Sequence, residues 1–172
     1  ATGSKRRMKI VIVALAVLLV LAGLGWWLFG GAPRGEIGTV STNFRWLGPN
    51  DRIAVDAFDD PQVEGVACHI SRPERGGISG AAGTAEDSSE VAIACRQIAP
   101  IVVKEPLNDG ERVFDERRSM LFKSLKVVRF FDSKRNVLVY VAYSDRVMTG
   151  SPQNSLSTVP LMPWGGVAAK LP

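Results

Sequence analysis

The apolar and polar positions of this chain change rhythm once, and the change divides it in two. From Ile10 to Pro33 no charged residue occurs. Apolar side chains would then surround every face of a helix built there. About 20 such residues at 1.5 Å rise each give roughly 30 Å, the hydrocarbon thickness of a bilayer. Residues 10–31 are therefore predicted to be a transmembrane helix, because no loop or open strand satisfies its backbone in lipid. Beyond residue 35 the dominant period is two. Val40, Thr42 and Phe44 alternate with Thr39, Ser41 and Asn43 over Gly38–Trp46, and Ile53–Phe58 follows the turn Gly48-Pro49-Asn50-Asp51. The clearest hairpin is Leu125–Phe131 and Val137–Ser144, joined by the polar connection Asp132–Asn136. Helical signals are few: a turn near Gly77–Ala85, or a piece opened by the capping-like Asp87-Ser88-Ser89-Glu90. Pro152, Pro160 and Pro163 make Gly150–Trp164 an ordered loop or edge segment, since proline disfavours a central strand.

This pattern predicts a mainly β, or α+β, single exported domain with antiparallel hairpins, plus one N-terminal transmembrane helix. Residues 1–9 form a basic cytoplasmic end, 10–31 the helix, 32–35 a short linker, 36–164 the periplasmic domain and 165–172 a loose tail. About 140 residues outside the membrane suffice for one domain with its own core. The linker is too short for a free tether.

Charge orients the helix. The chain carries 21 Lys plus Arg against 17 Asp plus Glu, but Lys5, Arg6, Arg7 and Lys9 precede the apolar run and no acid does. The remainder is balanced, so the basic end stays in the cytoplasm and the domain lies across the inner membrane in the periplasm. A balanced domain also lacks a general footprint for nucleic acid. A cleaved signal peptide shares the basic-then-apolar plan, but the apolar run here exceeds the usual length, and Trp26, Trp27 and Phe29 crowd the place where small residues precede a cut. An uncleaved single-pass anchor is the reading taken, with Trp26 and Trp27 as interfacial aromatics. Ala22, Gly23 and Gly25 supply small residues for close packing, without a Gly-x-x-x-Gly pair.

Cys68 and Cys95 are the only cysteines. On the oxidising side of the membrane an isolated pair is most simply a disulfide. Val66, Cys68 and Ile70 share parity, as do Val91, Ile93 and Cys95, so both sulfurs can face one core. No Cys-x-x-Cys spacing points to redox work.

Candidate chemistry is sparse. His69 is the single histidine and alternates away from Cys68, which makes it a surface residue and removes multi-imidazole metal sites. No Gly-x-Ser-x-Gly elbow occurs. Gly76-Gly77-Ile78-Ser79-Gly80 lacks the Lys-Ser or Lys-Thr of a phosphate loop and reads as a turn. Arg112, Arg117 and Arg118 beside Asp115 and Glu116 read as a solvated strand face or a salt-bridged rim. No cofactor motif and no metal set is found. One speculative ligand site remains: Asp56, Asp59 and Asp60 with Arg129 or Arg135, placed at strand ends where loops carry function.

Several segments in order resemble the CreA family of exported bacterial proteins. They are Asp56-Ala57-Phe58-Asp59-Asp60-Pro61, Gly76-Gly77-Ile78, Ala85-Glu86-Asp87, Phe122 to Phe130, Asp132 to Asn136, Tyr143-Ser144-Asp145, Gly150-Ser151-Pro152 and Val159 to Trp164. The resemblance covers about Glu36 to Trp164 and includes the cysteine pair. It departs at the front, where typical members look to carry a shorter, cleavable signal. It implies an exported domain and carries no catalytic residue onto this chain.

Two classes of function follow. The first is a non-enzymatic interaction protein, held in membrane lipid as an accessory subunit of a larger inner-membrane complex of respiratory or photosynthetic type. The second is a periplasmic small-ligand or envelope-binding protein, with a hydrolase as a weaker variant.

Overall fold

The structure, a computed structural model, describes residues 11–21, 23, 35–81, 90–117, 124–144 and 153–172. It divides into two compact units, Ala1–Arg34 and Gly35–Pro172.

In the first unit residues 11–21 and 23 are helical. Val11, Ile12, Val13, Leu15, Val17 to Leu21 all expose their side chains. No described helix is long and apolar enough to cross a membrane. Eleven residues rise only about 16 Å, so the described part is shorter than the span expected over 10–31. The rest of that span, with Trp26, Trp27, Ala22 and Gly25, lies outside the described residues, as does the basic end. Of the small-residue set only Gly23 is described, and nothing lies within 4 Å of a Cβ built there.

Among its described residues the second unit holds eight strands and one helical turn: β1 (Glu36–Ser41), β2 (Arg52–Asp59), β3 (Val63–Glu74), α1 (Gly77–Ala81), β4 (Ala92–Val103), β5 (Glu111–Arg117), β6 (Ser124–Asp132), β7 (Val137–Ser144) and β8 (Asn154–Pro160). They form two four-stranded antiparallel sheets, β1-β2-β3-β4 and β5-β6-β7-β8. The mainly β prediction stands at that level. Alternation decides the packing. Val66, Cys68 and Ile70 of β3 and Ile93 and Cys95 of β4 meet Leu125 and Val127 of β6 and Leu138, Tyr140 and Ala142 of β7 in one buried core. Cys68 and Cys95 are register partners, fully buried and disulfide-bonded across β3 and β4.

The two sheets meet along β4 and β8, where hydroxyls replace a ladder. The backbone N–H groups of Ile93 and Cys95 donate to Ser155 Oγ at 3.3 Å and Ser157 Oγ at 2.8 Å. On the other side Phe58 of β2 stacks on Phe114 of β5, with ring centroids 4.7 Å apart. Gly65, at a positive φ of 82°, lets β3 pass a bulge in β4; a Cβ there would stand 2.4 Å from the Pro100 carbonyl oxygen.

Two expectations are corrected and one is met. Strand β1 stops at Ser41, because the chain turns into the loop that reaches Asp51. The proline-marked segment holds β8, an edge strand as its prolines imply, with Pro160 at the terminal pairing position opposite Val137. The expected loose tail is tied down, since Val103 N–H donates to the Lys170 carbonyl and Lys170 N–H to the Ile101 carbonyl, each at 2.9 Å. Ala169 packs against the core. The helical signal near Gly77 is the single turn α1, and residues 87–89 lie outside the described set.

Candidate functional site

The strongest polar constellation lies inside the domain. Arg129 has the inward parity of Leu125 and Val127 on β6, and its side chain is fully buried. Asp60 reaches it from the connection between β2 and β3. Arg129 Nη1 donates to both Asp60 carboxylate oxygens, at 2.6 and 2.7 Å, and Nη2 donates to Gln62 Oε1 at 2.5 Å and Glu111 Oε2 at 3.0 Å. The Tyr140 hydroxyl donates to Asp60 Oδ2 at 3.0 Å, and Gln62 Nε2 donates to Glu111 Oε1 at 2.8 Å. Burial, reinforced by the Asp60 charge, raises the Tyr140 pKa far above the phenol value. That tyrosine therefore stays a neutral donor. Both Nη groups of Arg129 are taken by two carboxylates and an amide, its buried Nε has no partner, and with no exposed surface the side chain braces the protein interior.

A second cluster lines the other end of the inner face of β2 and β3. Arg72, nearly fully buried, is paired with Asp56 and lies 3.1 Å from Glu74 Oε1 and 3.4 Å from Glu116 Oε1 of β5. Arg52 binds Glu74 at 2.7 Å. This cluster also ties one sheet to the other.

The speculative ligand site is therefore taken apart. Asp60 and Arg129 do meet, but as a buried pair; Asp56 belongs to Arg72; Asp59 is exposed at the end of β2; Arg135 sits in the β6–β7 turn, where it binds Asp132 at 2.7 Å. That bond holds the Asp132 carboxyl below its ordinary range. Among the described residues no group of three or more His, Cys, Asp or Glu could hold a metal. His69 is exposed on the outer face of β3, between Ala57 and Ala94.

Among the described residues, two of the exposed apolar surfaces stand out. The first is the loop Thr42–Asp51. Asp51 is its hub: it accepts from Arg45 Nε at 2.9 Å and Nη2 at 2.7 Å, and from the Gly76 N–H at 2.8 Å. Those bonds, led by the one from Arg45, lower its pKa to about 2. Gly77 N–H donates to the Pro49 carbonyl at 2.7 Å. The approach is so close that a Cβ on Gly76 would stand 2.0 Å from the Pro49 oxygen. On this braced frame Trp46 is 88% and Phe44 76% exposed, with rings edge to face, and Leu47 and Ile78 are exposed beside them. Arg45, Trp46, Leu47, Arg75 and residues 76–79 line an open cleft of about 630 Å³.

The second is the outer face of the β5–β8 sheet. Register places Val128 beside Val141 and Val141 beside Leu156, with Phe130 beside Val139 in the next row and Tyr143 at the margin. Leu156 is 59% exposed, and Phe130 is exposed as well. Sequence reasoning missed both surfaces, although the alternation of Val137, Val139, Val141 and Tyr143 with Leu138, Tyr140 and Ala142 already marked a strand apolar on two faces.

Fold and polar chemistry together define a class: a disulfide-bonded, two-sheet antiparallel β protein whose buried ions brace the fold. Within that class the chain belongs to the CreA family, whose description, CreA protein, matches residues 37–164. Protein CreA of Escherichia coli strain K12 is 53% identical over 133 residues, 75% of this chain and 85% of that relative. Protein CreA of strains O6:H1 and O157:H7 shows the same identity and coverage. No solved structure matches the chain.

Proposed function

We propose that this protein is an exported interaction module, anchored in the inner membrane by its N-terminal apolar segment and acting as an accessory subunit of a larger membrane complex. The observation that carries the reading is the outer face of the β5–β8 sheet. Val128, Val139, Val141, Phe130 and Leu156 form a continuous apolar surface on the side of the sheet away from the core. Sheets of this kind ordinarily alternate apolar inside with polar outside. Contiguous apolar surface on a folded domain marks a place where another molecule sits. The uncharged run from Ile10 to Pro33 supports anchoring, and the basic residues before it support a cytoplasmic N-terminus. The burial of Arg129, Asp60 and Arg72 as ion pairs inside the fold, away from any open cleft, supports a role in binding over one in catalysis.

The test is co-migration. Membranes solubilised in mild detergent should yield the protein at the mass of an assembly on native gels. Replacing Val141 and Leu156 together by Lys, on the outer face, should return it to the free form while the disulfide and the melting transition persist. Migration of the unaltered protein only as a free monomer defeats the proposal.

A further inference from the structure

We propose that the loop Thr42–Asp51, with Ile78 of α1 beside it, is a docking surface for the headgroup region of a lipid bilayer containing anionic lipid. This inference rests on the membrane-anchored reading and names a second point of contact for the same domain.

Three observations converge on lipid. First, the exposed side chains are of interfacial type: Trp46 and Phe44 are aromatic, Leu47 and Ile78 aliphatic, and all four are exposed. Trp in particular partitions to the boundary between headgroups and acyl chains. Second, among the described residues the charged side chains lining the cleft are Arg45 and Arg75. Asp51 bonds Arg45 and the Gly76 backbone without lining the cleft. Apolar side chains set beside arginines suit a surface of phosphates over hydrocarbon.

Third, the loop is pre-formed. Its ends are joined by Thr42 N–H to the Asp51 carbonyl at 2.8 Å, Arg45 N–H bonds the Asn50 side chain at 2.9 Å, and Gly77 N–H bonds the Pro49 carbonyl at 2.7 Å. A bonded frame holds the aromatic side chains outward at little entropic cost on docking.

The experiment uses the full chain mixed with vesicles of phosphatidylcholine and phosphatidylglycerol whose acyl chains carry bromine. The fluorescence of Trp46 is taken as the difference between the natural chain and Trp46→Phe, which cancels the other three tryptophans. Flotation with the vesicles is measured in parallel, and a variant with Phe44, Trp46 and Leu47 all replaced by Ser is compared. These side chains are exposed, so an unchanged melting temperature checks that the variant folds.

The expected result is that the bromolipid roughly halves the Trp46 signal. Raised salt or omission of phosphatidylglycerol should weaken the effect, and the triple variant should still float. Flotation without quenching of Trp46 overturns the docking surface and leaves the anchor standing; a protein partner would then be the occupant of the tip. Quenching, with flotation lost in the triple variant, keeps the docking surface and overturns the anchor. No flotation of the natural chain overturns both.

Discussion

At the scale of single residues, the domain's charges behave as fasteners. Arg129 and Asp60 are both fully buried, so deleting one strands the other in a low-dielectric interior. Arg129→Met should cost about 3 to 5 kcal/mol in chemical denaturation, a large part of the total for a domain of this size. Combining it with Asp60→Leu should recover part of the loss, because the fully buried carboxylate goes with the guanidinium and only the half-buried Glu111 is left without its arginine; a double variant no more stable than the single would count against this account. Asp51 predicts a pH effect of definite sign. Its carboxyl titrates near 2 in the fold, below the unfolded value of about 3.9. The stability it adds is therefore complete above pH of about 4 and is lost as pH falls toward about 2. Asp51→Asn should flatten that limb of the melting temperature against pH, and should loosen the loop that carries Trp46.

At the scale of elements, the disulfide and the tail divide the work of closing the β3–β4 pair. Cys68 and Cys95 are 27 positions apart, a loop whose crosslink contributes about 3 to 4 kcal/mol on the chain-entropy account. Reduction of the purified protein should lower its denaturation midpoint accordingly; an unchanged midpoint would show that the reduced chain retains the loop by other contacts. Truncation after Trp164 removes the Lys170 bridge to β4 and the contact of Ala169 with the core. Two backbone bonds at about 1 kcal/mol each predict a drop of several degrees in melting temperature, where a loose tail would leave it unchanged.

These elements also show what the sequence could express. The β6–β7 hairpin was legible because Val, Phe and Tyr alternate on both sides of a polar turn, and the cysteine pair because parity put both sulfurs on one face. The prolines around β8 pointed to a loop or an edge, and the edge is where the strand lies, with Pro160 at its last position. Arg129 carried a readable signal, its parity with Leu125 and Val127, yet its position near a strand end suggested a loop role. The partner of such a residue comes from a distant segment, here Asp60, and no local pattern encodes that meeting.

At the scale of the whole molecule, the two apolar surfaces make separable demands. The outer face of the β5–β8 sheet is broad, flat and aliphatic, as another protein's packed surface requires. The Thr42–Asp51 tip is narrow, aromatic and flanked by arginines, as a headgroup layer requires. The tip belongs to the connection between β1 and β2, and the apolar face to β6, β7 and β8, so a change at one should leave the other intact. Val141→Lys with Leu156→Lys should therefore abolish co-migration with an assembly while bromolipid still quenches Trp46. Phe44→Ser with Leu47→Ser, which keeps Trp46 as the probe, should do the reverse, sparing the assembly on native gels and weakening the quenching of Trp46 by bromolipid. Loss of both readouts from either variant would mean that the two surfaces serve one partner, and that the tip reaches the membrane only through that partner.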